Sequence, residues 1–223
     1  MLKLVIANKL YSSWSLRPWL VLSAFDIPFE EIVVPLRTPE SRGKILEHSP
    51  SGKVPVLIDG EIRVWESLAI LEYLAETHPA AGLWPRNAGA RAHARAIASE
   101  MHAGFLPLRR HLPMNIWRPV KARALDDGAA ADAQRIDAIW SECRARFGAG
   151  GPFLYGAFCA ADAMYAPVVS RFHTYDVAVS AAARAYMDAV MALPAWSEWS
   201  DAARRETWVL PHDEVDWPEI LRE

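Results

Sequence analysis

The chain has almost no cysteine: Cys143 and Cys159 are its only two, they form no Cys-x-x-Cys pair, and none falls in residues 1–80. That excludes a disulfide framework and the ligand spacings of zinc or iron–sulfur sites, and makes reduced thiols the expectation. Long apolar runs are also missing; the run that ends at Ala7 is far short of the ~20 residues of a membrane helix, so no membrane partner is expected. Charge of one sign is not in excess either. Residues 1–80 carry 8 basic and 10 acidic side chains, the rest carry 16 and 17, and the net charge is −3, which argues against nucleic acid as a partner. The Met1 segment lacks a basic stretch followed by an apolar run and a cleavage site, so a cytoplasmic location is expected. No low-complexity tract or internal repeat occurs; with 52% hydrophobic and 23% charged residues, the 223-residue chain falls in the globular class.

Composition changes near residue 80. Residues 1–80 hold 5 Ala and 14 Val or Ile, whereas the remaining 143 hold 32 Ala and 13 Val or Ile. β-Branched residues suit sheets and Ala suits helices, so a mixed α/β part precedes an all-helical one. The breaker cluster His78-Pro79-Ala80-Ala81-Gly82 followed by Trp84-Pro85 marks the linker, giving domains 1–80 and 89–223 joined by 81–88. In the first part the patterns predict a strand at Leu2–Ala7, a helix at Ser15–Phe25 and a strand at Glu30–Pro35. A connector around Pro39–His48 then leads to an Asp59-Gly60 hairpin and a helix from Glu66 to His78. In the second part, helices are predicted at Asn87–Leu112, bent at Pro107, then Ala129–Phe147, Ala160–Tyr175, Ser180–Ala192 and Pro194–Arg204, with an irregular tail over 205–223.

The order βαβ then ββα followed by an Ala-rich bundle is that of a thioredoxin-like domain with a helical partner. Four local features sit in it: Ser12-Ser13-Trp14-Ser15-Leu16-Arg17, Lys53-Val54-Pro55, Glu66-Ser67-Leu68-Ala69-Ile70, and Ala160-Ala161-Asp162-Ala163. Over nearly its whole length the chain resembles a cytosolic glutathione transferase, with a zeta-like serine motif. The resemblance implies an α+β architecture, glutathione as co-substrate, a small electrophile as second substrate, and a homodimer. It implies a cis peptide at Val54-Pro55, whose backbone pairs with the cysteinyl unit of glutathione. Ser67 and Glu66 at a helix start would hold the γ-glutamyl end, and Lys53 the glycyl carboxylate.

The sulfur is expected at the start of the first helix. A free thiol has a pKa of about 8.5, and lowering it by ~2 units requires ~2.7 kcal/mol of thiolate stabilisation. A hydroxyl donor plus a helix N-terminus is of that size. The zeta pattern points to Ser12 as that donor, with Ser13 as the alternative and plain helix capping by Ser13 or Ser15 as the structural reading.

Trp14 stands where the zeta pattern has Cys, which weakens the case for zeta-type isomerisation, and the lack of Cys in 1–80 disfavours thiol–disulfide exchange. Arg17 matches a family Arg expected to pair with a carboxylate at the domain junction. Asp162 matches a helix-capping Asp, with Cys159 in place of the usual Ser or Thr. Acceptor-site candidates are Met101, Phe105, Leu108, Arg109, Trp117, Arg171 and Trp208, each with core or surface packing as the plainer reading. His93, His102 and His111 recur at nine residues, so neighbours face opposite sides and the outer pair is ~27 Å apart; no metal is expected. Besides conjugation, a glutathione-dependent isomerase or peroxidase, or a non-catalytic glutathione-binding protein, fits the same residues.

Overall fold

The computed structural model describes residues 1–215. Strands β1 (Leu2–Ile6), β2 (Phe29–Val33), β3 (Val56–Asp59) and β4 (Ile62–Trp65) form one sheet in the order β2-β1-β3-β4. β1 runs parallel to β2 and antiparallel to β3, which pairs antiparallel with β4. The parallel pair is linked by helix α1 (Ser13–Ala24), and the hairpin leads into α3 (Ser67–Thr77). β1 is central, and Leu4, Val5 and Ile6 are fully buried because both faces are covered. Leu4 and Ile6 join the main core with Leu16 and Leu20 of α1 and Leu71 and Leu74 of α3. Val5 joins Val34, Ile45 and Val56 on the other face.

The first part departs from expectation at two places. The segment expected as a plain connector contains a helix, α2 (Ser41–His48), which buries only Ser41 and Ile45 and so shows no apolar stripe. Asp59 pairs with Ile62, so the hairpin loop is Gly60-Glu61, one residue later than Asp59-Gly60; Gly60 supplies the positive φ of +57°.

The helical part comprises α4 (Ala88–Ala103), α5 (Leu106–His111), α6 (Asp127–Phe147), α7 (Ala160–Thr174), α8 (Ala181–Met191) and α9 (Pro194–Arg204). The helix expected over Asn87–Leu112 is two helices. The break falls at Gly104-Phe105, where Phe105 has φ +62°, and Pro107 lies in the first turn of α5, where its missing N–H costs nothing. α7 is buried almost end to end and lies against α1, α4 and α8. Trp19 of α1 and Trp199 of α9 meet edge to face at 5.1 Å, and the Trp199 indole donates to the Lys9 carbonyl at 3.0 Å. The two parts of the chain thus share one apolar core.

The segment after α9 returns over the loop that precedes Ser12. The Glu206 carboxylate accepts the Lys9 and Leu10 N–H groups at 2.7 and 3.1 Å, and the Glu214 carboxylate accepts from Tyr11 Oη and Asn115 Nδ2. The rest of the predicted irregular tail, 216–223, lies outside the described residues. Among the described residues, no helix is long and apolar enough to cross a membrane.

Candidate active site

A cleft of about 290 Å³ opens between the segment preceding β3 and the N-terminus of α3. Its walls are Trp14, Ser51, Lys53, Val54, Pro55, Glu66 and Ser67, so the five residues expected at a glutathione site meet in one place. The Val54-Pro55 peptide is cis. Two larger cavities of about 600 Å³ each contain none of these residues.

The α3 N-terminus is open to a ligand. Helices α1, α4, α6 and α8 carry side-chain caps from Ser12, Asn87, Asp126 and Ser180, whereas α2, α3, α5 and α9 have none, and of these four only α3 begins at the cleft. Its first-turn N–H groups therefore face the cleft with the positive end of the helix dipole. Ser67 opens this helix and is fully buried. Glu66 is held at φ +68°, ψ 123°, a backbone state that costs a non-glycine residue roughly 1–3 kcal/mol. It is the single residue between the end of β4 and the start of α3.

Behind Ser67 lies a buried cationic cluster that the sequence motifs did not announce. Arg17 is fully buried and its Nη1 donates to Ser67 Oγ at 3.3 Å. No carboxylate lies within 4 Å of it among the described residues, contrary to the pairing expected at the domain junction. Burial, and then the neighbouring Arg109, depress its pKa well below the usual arginine range. The Trp14 ring lies 4.3 Å from the Arg17 guanidinium and 4.9 Å from that of Arg109, with His102 edge-on at 5.3 Å. His102 Nε2 is 3.4 Å from the Glu66 carboxylate. Burial and then Arg17 lower the His102 pKa, so its imidazole is neutral near pH 7.

At the start of α1, the structure makes Ser12 the N-cap, a place the capping reading gave to Ser13 or Ser15. Ser12 Oγ accepts from Ser15 N at 3.3 Å and donates to Ser15 Oγ at 2.7 Å; Ser15 Oγ also accepts from Ala7 N at 3.0 Å. The Ser13 hydroxyl makes no hydrogen bond among the described residues. Ser12 and Ser13 are both buried and neither is among the cleft walls given above.

None of the acceptor-site candidates reaches this cleft. Met101, Phe105 and Leu108 are buried in the core, Met101 and Leu108 on the inward faces of α4 and α5 and Phe105 at the break between them. Arg109 donates to the carbonyls of Gly104 and Met101 and touches the site only through the Trp14 ring. Arg171 is buried, with Nε on the Leu112 carbonyl at 2.7 Å and Nη1 on the Pro167 carbonyl at 3.2 Å. Trp117 lines a separate cavity, and Trp208 is exposed. Asp162 serves the fold: its carboxylate accepts the Cys159 and Leu154 N–H groups at 2.8 and 3.1 Å.

Residues 11–77 match the family model described as "Glutathione S-transferase, N-terminal domain", and residues 126–202 match "Glutathione S-transferase, C-terminal domain". A maleylacetoacetate isomerase of Rhizobium meliloti is 33% identical over 164 residues, 70% of this chain and 73% of that protein. The chain belongs to the glutathione S-transferase family. A probable maleylacetoacetate isomerase of Caenorhabditis elegans is 41% identical over 104 residues, 44% of this chain; the chain spans about half (48%) of that relative. In fold, this family member is similar to a solved maleyl pyruvate isomerase, a bacterial zeta-class glutathione S-transferase. The TM-score is 0.69 with 22% identity, over 92% of this chain and 99% of that one. Trp14, Arg17 and His102 were not legible as site residues because their roles arise from α1 meeting α3 and α4 in space.

Proposed function

We propose that the protein binds glutathione in the cleft at α3 and holds its thiol as thiolate for attack on a small electrophile. The observation that carries this is the uncapped α3 N-terminus, with Ser67 and Glu66 on one side of the cleft and Lys53 on the other. The γ-glutamyl carboxylate takes the free N–H groups and the Ser67 hydroxyl, the γ-glutamyl ammonium faces Glu66, and the glycyl carboxylate faces Lys53. The cysteinyl backbone pairs with Val54 as an added strand.

The sulfur is then assigned to the start of α1, with Ser12 as its donor. In the unliganded arrangement Ser12 donates to Ser15 Oγ, which already accepts the Ala7 N–H. Two hydroxyls 2.7 Å apart can reverse their bond. Ser15 O–H then donates to Ser12, and Ser12 O–H donates to the sulfur without loss of a hydrogen bond. A charge-assisted bond of ~1.5–3 kcal/mol together with the helix dipole at ~0.3–1 kcal/mol supplies the ~2.7 kcal/mol needed. The thiolate attacks the electrophilic carbon and the acceptor's leaving group, or its π electron pair, accepts the charge. The acceptor is proposed to lie against the Trp14 ring at the cleft wall.

A second reading is favoured by the relatives named as maleylacetoacetate isomerases. In it the thiolate adds to a cis double bond, rotation follows, and elimination returns free glutathione. The two are separated by counting thiol. With 1-chloro-2,4-dinitrobenzene, conjugation consumes one glutathione per product; with a maleyl substrate, isomerisation consumes none. Absence of turnover with both would contradict the enzymatic reading.

The remaining assignments are proposals of the same kind. Residues 1–80 form the glutathione-binding domain, 81–88 the linker and 89–223 the acceptor-side domain. The protein works as a homodimer in the cytoplasm, where both its buried cysteines stay as free thiols.

A further inference from the structure

We propose that Glu206 is a positioning residue for the sulfur site: the segment that follows α9 sets the place of Ser12 by holding the loop in front of it. The inference rests on Ser12 as the thiolate donor, and gives that donor a control nearly 200 residues away in the chain.

Residues 7–13, between β1 and α1, are buried throughout, so each backbone N–H there needs an acceptor inside the protein. Tyr11 and Ser12 donate within the loop, to the Asn8 carbonyl at 3.2 and 2.9 Å. Lys9 and Leu10 do not. Among the described residues their N–H groups meet only the Glu206 carboxylate, one on each oxygen, at 2.7 and 3.1 Å. Other contacts fix the loop from the same end of the chain. Leu10 and Tyr11 pack with Ala203 and Leu210 in an apolar cluster apart from the main core. The Lys9 carbonyl accepts from the Trp199 indole at 3.0 Å, and Tyr11 Oη donates to Glu214.

A carboxylate suits this place better than an amide. Both of its oxygens accept, so it takes two N–H groups, whereas an amide offers one acceptor and turns a donor toward the second N–H. Residues 9 and 10 would then shift, and Ser12, two residues on, would shift with them. A hydrogen bond to sulfur weakens steeply when its donor is misplaced. The sign of the effect separates position from charge. Removing the negative charge of Glu206 would by itself favour the thiolate and lower the pKa of bound glutathione. Losing the place of Ser12 removes a donor and raises it.

The test is ultraviolet titration of glutathione bound to the full chain, in the wild type, Glu206→Gln, Ser12→Ala and the double variant. Glu206→Gln should raise the bound-thiol pKa by ~0.5–1 unit, less than Ser12→Ala does, and add no further rise in the Ser12→Ala background. Its affinity for S-methylglutathione, which has no thiol to ionise, should equal that of the wild type. A pKa unchanged or lowered in Glu206→Gln, an equal rise in both backgrounds, or a matching loss of S-methylglutathione affinity would each overturn the proposal. An unchanged pKa in Ser12→Ala would remove the thiolate reading and this proposal with it; a rise in Ser12→Ala with none in Glu206→Gln would remove this proposal alone. Should Glu206→Gln fail to fold, Tyr11→Phe carries the test, since it removes the Glu214 contact of the same loop and no backbone bond. A raised pKa there supports the proposal and an unchanged one overturns it.

Discussion

At the scale of single residues, the serines at the start of α1 make a ranked prediction. Ser12→Ala should raise the pKa of bound glutathione the most, by ~1–2 units for a lost bond of ~1.5–3 kcal/mol. Ser15→Ala should raise it less, since Ser12 keeps its own donor and loses only the hydroxyl behind it, and Ser13→Ala least. Ultraviolet titration of the thiolate reads all three, and an unchanged pKa in Ser12→Ala would sink the assignment. Ser67→Ala should weaken glutathione about tenfold in calorimetry, because it removes a contact to the ligand carboxylate at a helix end, and should also lower the melting temperature, because it removes the acceptor of the buried Arg17 guanidinium. Residues such as Lys53, Val54, Glu66 and Ser67 were legible because each lies next to a local signal, an X–Pro pair or a helix start. Met101, Phe105 and Leu108 were not separable from core residues by type, since an apolar side chain on α4, on α5 or at the break between them serves a pocket and a core equally well until the packing partner is known.

At the scale of elements, most helices and all four strands were readable from periodicity, and the misses have physical causes. α2 escaped because a helix that buries one apolar residue has no stripe to read. The α4–α5 break escaped because Pro107 drew attention to a bend two residues past the true one. Gly104 marks the break: a Cβ there would sit 2.9 Å from the Glu100 carbonyl oxygen. The alternating alanines of α4 do not form one surface. Ala90, Ala94 and Ala98 are buried in this chain's own core while Ala92 and Ala96 are exposed, as a 3.6-residue period requires of positions two apart.

Asp162 at the start of α7 gives the prediction at this scale. Desolvation pushes its carboxyl up to about 6, although the Leu154 and Cys159 N–H bonds pull the other way. With the folded pKa above the unfolded one, the folded state binds the extra proton. Stability from this group is therefore present below about pH 4 and lost as pH rises through about 6, roughly 3 kcal/mol in all. Asp162→Asn should lack that slope, so urea titrations of the two proteins between pH 4 and 7 should diverge. Parallel stability profiles would contradict the account of Asp162.

At the scale of the whole molecule, β4 is an outer strand of the sheet and exposes Ile62 and Trp65, 50% and 42% accessible. An apolar sheet edge of this kind is a liability unless covered, and a two-fold dimer covers it on both chains at once. Sedimentation at micromolar concentration should give about twice the 24.9 kDa chain mass, and Trp65→Glu should shift it toward the monomer. A wild-type monomer that still turns over glutathione would refute the dimer. The return of Glu206 onto the Lys9 and Leu10 N–H groups, which ties the end of the chain to the loop before Ser12, had no sequence signal because its partners are nearly 200 residues apart.

The central claim is that glutathione binds in the cleft at α3 and does so as the thiolate. Calorimetric titration of the wild-type protein with glutathione at pH 7, repeated in buffers of different ionisation enthalpy, counts the protons released on binding. With the free thiol at a pKa of about 8.5 and the bound thiol ~2 units lower, the account predicts release of most of one proton per site. Binding with no proton release, or no binding at millimolar glutathione, would contradict it.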